Sequence, residues 1–77
     1  MTAPPSRPAA GYDIIRAGSG RSEPDVRMPA GPSRAGAERS AREQSAADPA
    51  GRAFAVTDRA GRTLAEYRRG ERTGGLR

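Results

Sequence analysis

The sequence predicts a mostly disordered chain with a small α+β element: a short strand, one helix and a C-terminal β-hairpin. Two features of composition predict the disorder. Leu, Ile, Val and Phe supply seven of the 77 residues, far below the roughly 20% that separates globular from disorder-prone chains. Gly, Pro, Ser and Gln supply 24 of the 77, just above the threshold of about 25–30% that marks low complexity. The third feature predicts the local order. The few large apolar residues alternate around one Asp-to-Gly turn, as in a half-buried hairpin.

Residues 1–10 hold Pro4, Pro5 and Pro8 and no apolar cluster, and read as a disordered Pro-rich arm. Residues 11–67 read as the small α+β unit, opening with a strand at 12–16, Tyr12-Asp13-Ile14-Ile15-Arg16. Three Gly and three Pro make 17–33 a loop, in which Val26 and Met28 alternate as a brief extended piece. A helix follows at 34–47. Ser33 supplies the N-cap, Arg34/Glu38 and Arg39/Glu43 are i, i+4 pairs, and Asp48-Pro49 ends the run. Its buried face would be Ala37 and Ala41. The hairpin at 53–67 turns on Asp58-Arg59-Ala60-Gly61, a type I turn closing in a left-handed Gly. That turn sets Val56 opposite Leu64, Ala53 opposite Tyr67 and Thr57 opposite Thr63, with Phe54, Val56 and Leu64 on one face. Residues 68–77, with four Arg and three Gly, read as a disordered Arg/Gly tail.

The residue inventory excludes much chemistry. There is no Cys and no His, and all 14 basic residues are Arg. Thiolate nucleophiles, Ser–His triads, Cys/His metal sites and Lys Schiff bases are therefore closed to this chain. GC-rich codons alone account for so much Arg, Ala, Gly and Pro. Gly18-Ser19-Gly20-Arg21-Ser22 lacks the spacing of a nucleotide-binding loop and reads as a flexible connection. Asp13, Glu23 and Asp25 lack the apolar surroundings that tune a catalytic carboxyl pair. The expectation is a protein that is not an enzyme, with no cofactor, no metal and no catalytic residue.

The order of strand, loop, Arg/Ala-rich helix and Val56-Thr57-Asp58-Arg59-Ala60-Gly61-Arg62-Thr63-Leu64 hairpin resembles a family of small bacterial proteins of unknown function with a β-α-β-β order. Tyr12-Asp13-Ile14, the stretch from Glu23 to Pro29, Ala41-Arg42-Glu43 and the hairpin carry the resemblance, over about residues 12–67. Gly36 and the lack of large apolar residues in the helix depart from that pattern. The resemblance implies a fold and no activity.

Two functions follow as expectations. The first is a small basic accessory protein that binds a protein partner, or a second copy of itself, through Phe54, Val56 and Leu64, an apolar face the chain can barely cover. The alternative is electrostatic nucleic-acid binding by the C-terminal third. Residues 52–77 hold seven Arg against three acids, and Arg68, Arg69, Arg72 and Arg77 would contact phosphates. The N-terminus lacks the apolar core of a secretory signal, and no run is long enough to span a bilayer. A cytoplasmic protein with no membrane partner is the expectation.

Overall fold

A computed structural model describes residues 11–19 and 21–75, so the N-terminal arm, Leu76 and Arg77 lie outside the described residues. The described residues form five strands and one helix: β1 Asp13–Arg16, β2 Val26–Pro29, α1 Arg34–Ala47, β3 Phe54–Thr57, β4 Thr63–Arg68 and β5 Glu71–Gly75. The strands make one antiparallel sheet in the order β2-β1-β3-β4-β5. This overturns the expectation of a mostly, intrinsically disordered chain. The order is β-β-α-β-β-β, where the family resemblance implies β-α-β-β; β2 and β5 are additional.

Composition misleads because the large residues are concentrated where burial is complete. Ile14, Val56, Phe54 and Tyr67 stand on one face of the sheet with Ala65, and Ala37 and Ala41 of α1 close over them. Ile14 pairs with Val56, Val56 with Ala65, and Phe54 with Tyr67, so the inner face is continuous across three strands. α1 lies across β3 and β4, reaches β5 and β1, and does not extend over β2. Ala37, Ala41 and Ser45 on its inner face are fully buried. Their small side chains let the helix sit close to the sheet, so a few large residues fill the space between the layers. The N-cap is Ser33, whose Oγ accepts from Gly36 N at 2.8 Å.

The hairpin register differs from the one the turn predicts. Thr57 faces Thr63, but Val56 faces Ala65, Ala55 faces Glu66 and Phe54 faces Tyr67. A bulge lies between these pairs and leaves Leu64 as the extra residue. Ala65 and Tyr67 thereby join Phe54 and Val56 in the core, while Leu64 is buried outside that cluster.

The expected tail is ordered through Gly75. β5 pairs with β4 from Arg68/Glu71 to Ala65/Gly75. The turn between them has positive φ at both central residues, 53° at Arg69 and 82° at Gly70, as a two-residue type I′ hairpin requires. Ser45 Oγ accepts from Gly70 N at 2.9 Å and donates to Arg42 O at 2.8 Å. One buried hydroxyl thus ties the β4–β5 turn to the last turn of the helix.

The close seating of α1 makes its small residues indispensable. Ala41→Leu should lower unfolding free energy by about 1–3 kcal/mol through overpacking, whereas Ala35→Leu, on the exposed face, should have little effect. Urea titration followed by circular dichroism measures both.

Candidate functional site

The end of the molecule at the C-terminus of α1 gathers four arginines around one loop. The loop is 48–52, between α1 and β3. It is shaped by Asp48, whose carboxylate accepts from Ala50 N at 3.0 Å and Arg52 N at 3.1 Å. Gly51 at its apex is buried and has φ +67°, a backbone region that favours residues without a Cβ.

Arg52 is fully engaged. Its guanidinium donates to both carboxylate oxygens of Glu23, Nε at 2.9 Å and Nη2 at 2.7 Å. Its Nη1 donates to Asp48 Oδ1 at 2.9 Å. The planar fork bridges two carboxylates and fastens the β1–β2 connection to the loop after α1. Glu23 Oε1 also accepts from Ser19 N and Oγ at 2.9 and 2.7 Å. The hydrogen bonds from Arg52, then Ser19, hold the Glu23 carboxyl at about 2, below its ordinary 4.5. Burial pushes Asp48 up, but the bonds from Ala50 N and Arg52 outweigh it, and its carboxyl also titrates low.

Arg68 and Arg69 converge on Gly51 from the β4–β5 turn. Arg68 Nη1 donates to Gly51 O at 3.0 Å. The guanidinium of Arg69 lies against the bare Gly51 Cα, where a Cβ would stand 2.6 Å from Nη2. Arg69 holds the left-handed turn position that Asn, Asp or Gly usually fills, so the turn carries an arginine at a backbone cost. Both side chains are exposed. Arg16, at the end of β1, completes the group. It stands 3.7 Å from Glu23 Oε2, and its buried Nε has no hydrogen-bond partner.

Of the arginines singled out in the sequence, Arg68 and Arg69 are together and Arg72 is elsewhere. Arg72 lies opposite Tyr67 on β5, and its guanidinium donates to Leu64 O at 3.2 Å and Gly74 O at 3.3 Å. Arg77 lies outside the described residues. Phe54, Val56 and Leu64, expected to form a docking face, are 4%, 0% and 6% exposed, and α1 covers the first two. Sequence reasoning missed Arg16 and Arg52. The signal for Arg52 was its place four residues after Asp48, beyond a Pro-Ala-Gly turn.

A cavity of about 500 Å³ lies at the opposite end of β1 between Gly11, Tyr12 and the β3–β4 turn. Two arginines line it: Arg62 is held by Asp58 at 2.9 Å, and Arg59 has no carboxylate within 4 Å among the described residues. Among the described residues no group of three or more acids is placed to hold a metal, and no helix is long and apolar enough to cross a membrane. No family model, curated protein or solved structure matches the chain.

The Glu23 clamp gives stability a defined pH dependence. A carboxyl with a folded pKa below its unfolded value stabilises above the unfolded value and loses that contribution as pH falls through the folded one. The urea midpoint should therefore drop between about pH 4.5 and pH 2, where Glu23 takes its proton. Glu23→Gln should start lower at pH 6 and fall less across that window. A midpoint level from pH 4.5 to 2 in the native chain would exclude the clamp. Gly51→Ala should cost more than about 1 kcal/mol, since it meets both the positive φ and the Arg69 guanidinium.

Proposed function

We propose that this protein is a small accessory module that binds the phosphate groups of nucleic acid, with Arg68 and Arg69 as the contacting residues. The observation that carries this reading is the pair of exposed guanidinium groups brought together over Gly51, one of them from a left-handed turn position. A non-glycine residue at such a position is uncommon, and such positions cluster at functional sites.

The charge balance supports the same reading. Asp13, Glu23, Glu38, Asp48 and Asp58 each pair with an arginine within the fold. These carboxylates are committed within the strands, the helix and the loops, whereas Arg68 and Arg69, like Arg21, Arg39, Arg42 and Arg59, have no carboxylate within 4 Å among the described residues. The net +5 of the chain adds long-range attraction for a polyanion, screened within about 10 Å at 0.1 M salt. A protein partner on the hairpin face has less support, because α1 of the same chain lies on Phe54 and Val56.

The test is fluorescence anisotropy with a labelled single-stranded oligonucleotide across a salt series. Log affinity should fall linearly with log salt. Arg68→Ala/Arg69→Ala together should reduce the slope by about 1.4, from roughly 0.7 per phosphate contact on a single strand. Arg59→Ala/Arg62→Ala, on the far turn, should leave the slope within error of the native value. Binding indifferent to salt, or equally affected by both pairs, would remove this reading.

A further inference from the structure

Beside the arginine cluster, α1 and the uncovered half of the sheet enclose a shallow cleft of about 290 Å³. It exists because the helix stops short of β2. Its apolar surface is Met28, Ala47 and Phe54, and its polar surface is Arg16, Gln44 and the Asp48/Arg52 pair. A volume at the lower end of small-molecule sites, roughly 300–1,000 Å³, suits one small flat group. Asp48 and Arg52 belong to the same loop as Gly51, so the cleft shares that loop with Arg68 and Arg69.

We propose that this cleft takes one unpaired nucleobase, guanine, whose phosphate rests on Arg68 and Arg69. This rests on the phosphate-binding reading above and names the chemistry that goes with it. A base is apolar on its faces and polar at its edge, and the cleft is lined by residues of both kinds. All three nitrogens of Arg52 are already engaged, by Asp48 and by Glu23. Arg16 is the group with capacity to spare: no hydrogen bond among the described residues engages its guanidinium, and its nearest carboxylate is 3.7 Å away. A guanidinium pairs best with two adjacent acceptors in one plane, which guanine presents at O6 and N7. Gln44 adds an amide whose nitrogen is held by Ser40 Oγ at 3.0 Å.

The aromatic inventory explains why one base and not a run of bases. The chain has three aromatic rings. Phe54 is on the cleft wall at 4% exposure, Tyr67 is buried beneath the Arg42 guanidinium at 5.3 Å, and Tyr12 is at the other end of β1. Proteins that hold several bases stack them on successive exposed rings, and this surface offers a single slot.

The experiment is an NMR titration of the full chain with each of the four nucleoside 5′-monophosphates and with inorganic phosphate. The Arg69 Nε–H signal should shift with all five. The Met28 methyl and Arg16 Nε–H signals should shift with GMP, at an affinity roughly ten-fold above that for CMP or UMP. Ala47→Leu, an exposed helix position that projects into the cleft, should erase the Met28 response to GMP and leave the Arg69 response in place. If Arg69 responds but Met28 stays silent, or responds equally to all four nucleotides, the base site is wrong and the phosphate reading stands. A preference for another base removes the role given to Arg16. Silence at both places removes the phosphate reading as well. The comparison among nucleotides uses the native chain, so it decides the question even if Ala47→Leu fails to fold.

Discussion

The rest of the structure depends on how closely α1 approaches the sheet. Ala37, Ala41 and Ser45 present almost no side-chain bulk, so the helix backbone comes down onto Ile14, Val56 and Tyr67. In a chain this small, a wider spacing would demand large residues on both layers, and the sequence has none to place on the helix. Burial of apolar area is the main favourable term in folding, and here it is concentrated in one tight seam. The Ser45 hydroxyl extends the seam at its end, since Gly70 N and Arg42 O meet on the same oxygen. That bond secures the β4–β5 turn, and with it the exposed guanidinium pair.

The local signals were legible in the sequence, and the tertiary ones were not. Ser33 and Asp48-Pro49 bound α1 through capping and through the restriction that proline places on its neighbour, both readable from adjacent residues. The Asp58 turn is equally local: its carboxylate accepts from Ala60 N and Arg62 N at 2.9 Å. β5 was illegible because Glu71-Arg72-Thr73-Gly74-Gly75 has no apolar residue and poor strand propensity. It is a strand because the Arg69-Gly70 turn delivers it to β4 and because α1 flanks it. The hairpin register was misread for a related reason. A bulge inserts a residue with no local signature, and the decisive preference is for Ala65 and Tyr67 beneath the helix over Leu64. Summed composition counts large residues but is blind to this concentration of burial.

The site divides along the same line. Arg68 and Arg69 stand out as adjacent charges in the sequence, but their meeting with Arg52 and Arg16 depends on the sheet order. β1, β3 and β4 are neighbours, so the end of β1, the entry to β3 and the exit from β4 share one edge of the molecule. Glu23 is brought there by the β1–β2 connection. Its position 29 residues from Arg52 in the chain made that pair invisible to any argument from spacing. The carboxylates at this edge act as anchors for loops, and this separates structural arginines from those left to face solvent.

All 14 basic residues are arginine, and composition alone does not describe the work they do in the fold. Arg52 spans two carboxylates with three nitrogens, Arg42 lies over the Tyr67 ring, and Arg69 sits flat where a side chain on residue 51 would stand. Each arrangement uses the planar, delocalised guanidinium. Lysine, a compact charge on a flexible stem, can form none of them in the same way. Substitution of lysine at these three positions would preserve the net charge and lose the geometry. Had the arginines been interchangeable carriers of charge, their contacts would be single and solvent-exposed. The bidentate, stacked and edge-packed contacts observed here show that the fold uses arginine as a shape as well as a charge, and the loop at 48–52 is where these uses meet.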